Sequence, residues 1–490
     1  MLTFSVFFSV GCSDDDAGPT ADGTIDGGRL DGALLDGGMD GGPGHDAAVG
    51  DGTLDGTVDG SVEPPPCGQI STFEDGLQPT AEIHVATNGS DQDGDGSAAA
   101  PYATIGHAAD QAAPGSAVIV HTGTYAGGIY LAHLAGTADA PIWIGGAAGE
   151  NRPVIDASGT NEALHLSRPR YLIIHDLEIR NSTANGINCD DGGDYGNPQA
   201  AQYVIFRDLY IHDIGSGGNQ DCLKLSGLND YVVLDSEFTA CGGGGSGSAI
   251  DHVGCHHGLI ARNYMHDLGG NAVQCKGGSE DIEIRSNRII NGGQRALNMG
   301  GSTGFDYFRP PLSTTQPNFE ARDIRAVANL FEGSAAAIAF VGCVECVAAN
   351  NTIIDPTNWI VRILQETTSD GQYEFLPCRD GYFVNNLVYF SRSGLSVHLN
   401  IGPDTAPETF TFETNLWYAH DDPAGGSTPN LPVTENGGVV GQDPAFTNGY
   451  QIDGNSPAAG AGTTLGVLTG DLLGRCYSDP PSIGAYAAQP

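Results

Sequence analysis

Asn271-Ala-Val-Gln-Cys-Lys276 decides the fold once it is set beside its neighbours. Before it stand Asn185-Gly-Ile-Asn-Cys-Asp190, Asp221-Cys-Leu-Lys-Leu-Ser226 and Ser248-Ala-Ile-Asp-His-Val253, and after it Arg295-Ala-Leu-Asn-Met-Gly300. Side chains alternate across a strand. Ile187, Leu223, Ile250, Val273 and Leu297 then form an inward aliphatic stack. One outward column reads Asn188, Lys224, Asp251, Gln274, Asn298. The adjacent column reads Asp190, Ser226, Val253, Lys276, Gly300, and a one-residue bulge near Met299 would shift its last row.

A second set of runs shares the repeat. Among these are Phe206-Arg-Asp-Leu-Tyr-Ile211, Ile260-Ala-Arg-Asn-Tyr-Met265, Ile284-Arg-Ser-Asn-Arg-Ile289 and Ala348-Ala-Asn-Asn-Thr-Ile353, the last three with Asn at the fourth position. Asn263 to Asn287 is 24 residues and Asn329 to Asn351 is 22. A period in the twenties with β-branched residues and Asn/Gly turns indicates a β-solenoid. The Leu-x-x-Leu-x-Leu frame of leucine-rich repeats is absent, as are the long amphipathic segments of helical repeats.

The 490 residues hold 60 acids against 19 Lys plus Arg, a formal charge of −41. That argues against nucleic acid as a partner and against binding to anionic membrane surfaces. No apolar run is long enough to span a bilayer as a helix. Met1 to Cys12 reads MLTFSVFFSVGC. The apolar run before Ser9-Val10-Gly11-Cys12 resembles a bacterial lipobox with Cys12 as the lipidated residue, although no basic n-region precedes it. Residues 13–66 contain eight Asp-Gly pairs, 13 acids, one Arg and no aromatic residue. Such a segment cannot bury enough apolar area to fold and reads as a disordered, self-repelling linker. The expected organisation is a signal segment over 1–12, a linker over 13–66 and one domain over 67–490. Within that domain a cap covers about 82–117, coils about 118–425 and a closing segment about 430–490. Eleven cysteines suit an exported protein. Without Cys12 ten remain, an even number that suits disulfides of unknown pairing. Cys343-Val-Glu-Cys346 reads as structural rather than as half a zinc site.

Val85-Ala-Thr-Asn-Gly89-Ser-Asp91, Pro101-Tyr-Ala-Thr-Ile105, Ala113-Pro-Gly115 and Gly123-Thr-Tyr125 resemble the N-terminal cap of the pectate-lyase-like, right-handed parallel β-helix superfamily. A short helix near 104–113 should plug the open end of the coil. Asp443-Pro-Ala-Phe446, Ser456-Pro-Ala458, Asp471 and Ile483-Gly-Ala-Tyr486 resemble the closing segment of the same proteins. The resemblance covers about 82–490 and implies an all-β parallel β-helix, monomeric, at the cell surface or secreted. It implies a polysaccharide as the partner, with the membrane reached only through the lipid. The fold hosts several reactions, so activity must come from the site.

Only two lysines exist in the chain, Lys224 and Lys276, and both point out of one face, about 10 Å apart. Gln274-Cys-Lys276-Gly-Gly-Ser followed by Gln294-Arg295 is similar to the Lys-then-Arg pattern of alginate and chondroitin lyases of this fold. That resemblance implies β-elimination on a uronate polysaccharide, with Lys276 as base, Arg295 serving the leaving group and Lys224 adding positive field. Expected substrate contacts are Asp251, Gln274, Asn298, Asp190, Arg309 and His256. The family's calcium-binding glutamates are replaced by Asn271 and Gln274. Asp91-Gln-Asp93-Gly-Asp95-Gly96 looks like half a calcium loop, which makes Ca2+ the one candidate cofactor. Two alternatives stand beside the lyase. One is a non-catalytic glycan-binding β-helix. The other is a glycoside hydrolase with paired carboxylates among Asp190, Asp191 and Asp221. The interruptions Ser302–Glu320 and Gln365–Arg379 should emerge as loops that wall a binding face.

Overall fold

The computed structural model describes residues 67–215, 218–243 and 245–489. Cys12 and the 13–66 linker lie outside them. Each turn of the chain adds one strand to each of three parallel sheets, of ten, thirteen and twelve strands. In chain order within a coil we call them sheet 1, sheet 2 and sheet 3. Sheet 1 contains Ile187–Asp190, Leu223–Ser226, Ser248–Val253, Asn271–Lys276 and Arg295–Gly300. The fold is thus a parallel β-helix. Its coils begin at Ala81 and run to Val440, beyond both expected limits.

The inward stack stands as read. Ile187 pairs in register with Leu223, then Ile250, Val273 and Leu297. Register also holds from Cys275 to Met299, so no bulge precedes Met299; the chain departs at Gly300, φ +100°. Parallel strands buried on their inner face need such aliphatic columns because the burial is continuous along the axis. The helix Ile105–Asp110 closes the first coil. The Thr104 hydroxyl caps its N-terminus, and Ile105, Ala108 and Ala109 are buried as the plug.

The recurrent asparagines have a second role that the period alone does not reveal. At the corner from sheet 2 to sheet 3, Asn263, Asn287, Asn329, Asn351, Asn386 and Asn415 stack inside the coil. Each Nδ2 donates to the next Oδ1 at 3.0–3.1 Å and to a backbone carbonyl. Glu435 ends the ladder, accepting from Asn415 and from the Trp417 indole. The preceding residues, Arg262 to Thr414, adopt φ of +48° to +57°, which turns the corner in two residues.

Among the described residues three disulfides form: Cys67–Cys476, Cys222–Cys241 and Cys343–Cys346. Cys189, Cys255, Cys275 and Cys378 are buried free thiols, so the even count of ten does not mean five bridges. Cys189 and Cys275 are inward fillers in the column of Leu225 and His252, where a small apolar thiol packs well.

Candidate functional site

Two of the three outer faces are partly covered by the chain itself. Phe73 and Leu77 pack on Ala117, Trp143, Ile173 and Ile205 of sheet 2. The closing segment lays Ile452, Ala458, Ile483 and Tyr486 against Leu330, Ile354, Leu387 and Leu416 of sheet 3. The outer face of sheet 1 is polar instead. Its central column runs Tyr130, His165, Asn188, Lys224, Asp251, Gln274, Asn298.

At its centre lies a buried charge cluster. The Lys224 ammonium bridges two carboxylates, Asp251 and Asp221, the latter at 3.3 Å. The Lys276 ammonium approaches the other Asp251 oxygen at 3.8 Å. Asp221 and Asp251 are fully buried, and Lys276 is 8% exposed. Both lysines therefore belong to one buried network, not to a solvated surface as the strand pattern suggested. Burial pushes the Asp221 carboxyl up to about 6, against the pull of Lys224, and the Asp251 charge adds to the rise. Burial acts on Asp251 too, but Lys224 and Lys276 outweigh it and hold that carboxyl below its usual range. Burial disfavours the Lys224 ammonium, yet Asp251 and Asp221 more than compensate, so Lys224 is a fixed cation. One oxygen each of Asp221 and Asp251 lacks a hydrogen bond. Beneath them His252 faces inward, and burial lowers its pKa to about 4, leaving it neutral.

Arg295 starts its strand opposite Asn271, five residues back from the level of Lys276. Its guanidinium returns over the face, donating to Asn298 Oδ1 at 3.3 Å and pairing with Glu366. The Asn298 and Asp251 rows are two strands apart, about 10 Å. At the other end His165 contacts Asp190 at 2.7 Å and Glu162 at 3.1 Å; hydrogen bonds to Asp190 and then Glu162 raise its pKa to about 9. Tyr130, 61% exposed, meets His165 edge-on at 4.9 Å.

The corner from sheet 1 to sheet 2 carries the wall. Glu320, buried at the end of the first insertion, accepts from the Gly277 N–H, from Thr303 and from Thr367 of the second insertion. Phe305 and Phe308 pack on Phe375 at 5.7 and 5.5 Å. The two insertions thus support one another beside Lys276. The first also reaches back across the corner turns, where a Cβ on Gly254 would lie 2.3 Å from Arg309. Arg309 ends in a buried pair with Asp191, Nε to Oδ2 2.6 Å, and lies 4.0 Å over the Tyr195 ring. Asp191, Tyr195 and Arg309 border two cavities at once. One, of about 250 Å³, opens on sheet 1 beside Lys224, Asn188 and Asp190. The other, of about 650 Å³, lies round the corner on the sheet 2 side.

The structure therefore brings Lys224, Lys276, Asp251, Gln274, Asn298, Asp190 and the Arg295 guanidinium to one face. Arg309 stands at its edge, engaged with Asp191. His256 does not join it: it opens a sheet 2 strand, with Nδ1 2.6 Å from Asn229 Oδ1, and lines the larger cavity. Asp221, a hydrolase candidate in the sequence, joins the lysine cluster instead, and the wall residues Glu320 and Glu366 have no signal in the sequence; the three come from segments that only the register and insertions unite. The expected calcium residues are used otherwise. Asp91 accepts from the Ala103 and Thr104 N–H groups and the Thr104 hydroxyl, and Asp95 from the Ser97 N–H. On sheet 1, ammonium groups already fill the space between the carboxylates, and Asn271 contacts Gln274. Among the described residues no three His, Cys, Asp or Glu are arranged to hold a metal ion.

No family model and no curated protein matches the sequence. Solved structures do. Pectate lyase Pel9A aligns with a TM-score of 0.50 and 14% identity over 84% of this chain and 98% of its own. An alginate lyase from Paenibacillus aligns at 0.41 and 15% identity, over 66% and 97%. A lacto-N-biosidase from Eubacterium ramulus aligns at 0.41 and 15%, over 68% and 67%. The shared feature is the fold. The chain has a parallel β-helix architecture, as that pectate lyase has. Its three disulfides fit an oxidising, extracytoplasmic compartment.

Proposed function

We propose that the outer face of sheet 1 binds an acidic polysaccharide and cleaves it by β-elimination, with Lys276 as the base. One observation carries this reading: in a chain of charge −41, the only two lysines converge on one buried carboxylate at the centre of the polar outer face of sheet 1. Elimination requires removal of the C5 proton of a uronate, departure of the O4 substituent and a double bond between C4 and C5. Cationic groups must stabilise the carboxylate as the carbanion forms. Lys224, held charged by Asp221 and Asp251, supplies that field. It also takes the shorter contact with Asp251, which leaves Lys276 the longer one at 3.8 Å. Arg295, anchored about two strands away, suits the carboxylate of a neighbouring sugar better than the leaving oxygen. The hydrolase alternative draws support from the opposed shifts of Asp221 and Asp251. Both carboxylates, however, close on one ammonium rather than facing each other across an open groove. The non-catalytic alternative needs an aromatic platform, and Tyr130 alone supplies one on this column. Cys12 as a lipid anchor remains part of the proposal. The test is a panel of uronate polysaccharides, read by the ultraviolet absorbance of unsaturated product, with wild type and Lys276→Ala. Absorbance from the wild type and none from the variant supports the assignment; equal activity removes Lys276 from it.

A further inference from the structure

The 650 Å³ cavity has a chemistry opposite to that of the sheet 1 face. Its carboxylates are largely spoken for. Asp191 is paired with Arg309, Glu280 with Arg322 at 3.6 Å, and Asp281 and Asp323 both with Arg325. Asp230 takes a hydrogen bond from the Gln202 amide at 3.2 Å and lies 3.5 Å from His257 Nδ1. Paired in this way the acids hold little free field for a cation, yet each still offers lone pairs. The floor is fixed: Asn229 is 3% exposed, donates to the Pro198 carbonyl at 2.7 Å and faces His256, which ties the 191–200 loop to the coil. Tyr195 contributes an aromatic wall, held by the guanidinium stacked on it. Acids, amides and imidazoles around one aromatic ring suit the dense hydroxyls of a sugar. The volume is that of a preformed ligand pocket and accommodates two or three rings.

We propose that this cavity is a subsite for a neutral saccharide. Because Asp191, Tyr195 and Arg309 form the partition between it and the sheet 1 groove, the neutral unit is a side branch of the acidic polymer on sheet 1. The branch assignment rests on the function proposed above; the binding of a neutral sugar does not.

The experiment is calorimetric titration, with saturation-transfer NMR, of the full chain. The probes are xylobiose, galactobiose, arabinobiose and rhamnose, with spermidine and calcium chloride as controls. Binding of at least one neutral sugar is expected. His257→Ala, at an exposed lining position, and Tyr195→Ala should each weaken it about tenfold, the loss of roughly one good ligand contact. Should Tyr195→Ala unfold, His257→Ala alone decides. Lys276→Ala should leave neutral-sugar binding unchanged, and His257→Ala should leave binding of a uronate oligomer unchanged. No binding by any neutral probe, binding indifferent to His257→Ala, or preference for spermidine or calcium overturns the proposal. Neutral-sugar binding lost in Lys276→Ala would move it to sheet 1 and also overturn it. Failure of uronate binding with neutral binding intact would instead sink the sheet 1 reading and the branch assignment, and leave the cavity.

Discussion

Two polar arrays run along this β-helix, one inside the coil and one on the outer side of sheet 1, and they are built to opposite rules. In the asparagine ladder between sheets 2 and 3 every amide from Asn263 to Asn415 donates to its neighbour and to a carbonyl, and Glu435 closes the end. In the lysine cluster of sheet 1 two carboxylates share one ammonium, a second ammonium sits at 3.8 Å, and two carboxylate oxygens have no hydrogen bond. A satisfied array contributes rigidity; in the charged one the two oxygens without hydrogen bonds are held by ion pairs alone, at 3.3 and 3.8 Å from the lysines. Only the second faces outward.

The comparison can be broken at several points. The largest effect is expected from Lys276→Ala, which should reduce eliminative turnover by about a hundredfold or more, the range of a general base. Asp251 keeps Lys224, so the melting temperature should move little. Lys224→Met should act the other way. It strands the buried Asp221 and leaves Asp251 only the longer Lys276 contact, and a broken buried pair costs about 3–5 kcal/mol, measurable by urea unfolding at neutral pH. Asn329→Ala removes ladder donors and an acceptor at once. About 2–3 kcal/mol of stability should go, with kcat unchanged in the surviving folded protein. This double readout separates the two arrays.

The smaller expected effects concern pH. Asp221 has a folded pKa raised from 3.8 to about 6, so the folded state binds the extra proton between those values. Its contribution to stability therefore declines as pH rises through that window. In Lys224→Met the destabilisation should accordingly shrink as pH is lowered towards 4. His165 behaves with the same sign at higher pH. Its folded pKa is raised from 6.5 to about 9, so its stabilisation is complete below 6.5 and lost as pH climbs through 9. Denaturation midpoints at those two pH values should converge for His165→Gln relative to wild type.

Much of the fold was legible because a solenoid repeats its reasons. Ile187, Leu223, Ile250, Val273 and Leu297 obey the same alternation, and one strand's reading checks the next. The cap helix was legible from Thr104 and Ile105. The coil limits were not, since Ala81–Val85 carries Glu82 and His84 on a strand with few inward residues. The site was half legible. Alternation put Lys224, Asp251 and Lys276 on one face, but it could not show that Lys224 and Lys276 share Asp251. That depends on side chains leaning across coils. Nor could it show Glu320 or Arg309 arriving from insertions, whose conformation no period constrains. His256 was misplaced because a turn histidine gives no sign of which sheet its strand will join.

The central claim is that the sheet 1 face performs an elimination, and the end groups of the product test it most directly. Digestion of a uronate polysaccharide, followed by mass spectrometry, should give oligomers lighter by one water at the new non-reducing end than hydrolysis products. Oligomers of full hydrated mass would contradict the account and transfer the reaction to the Asp221–Asp251 pair, and no cleavage of any uronate polymer would leave sheet 1 without the proposed chemistry.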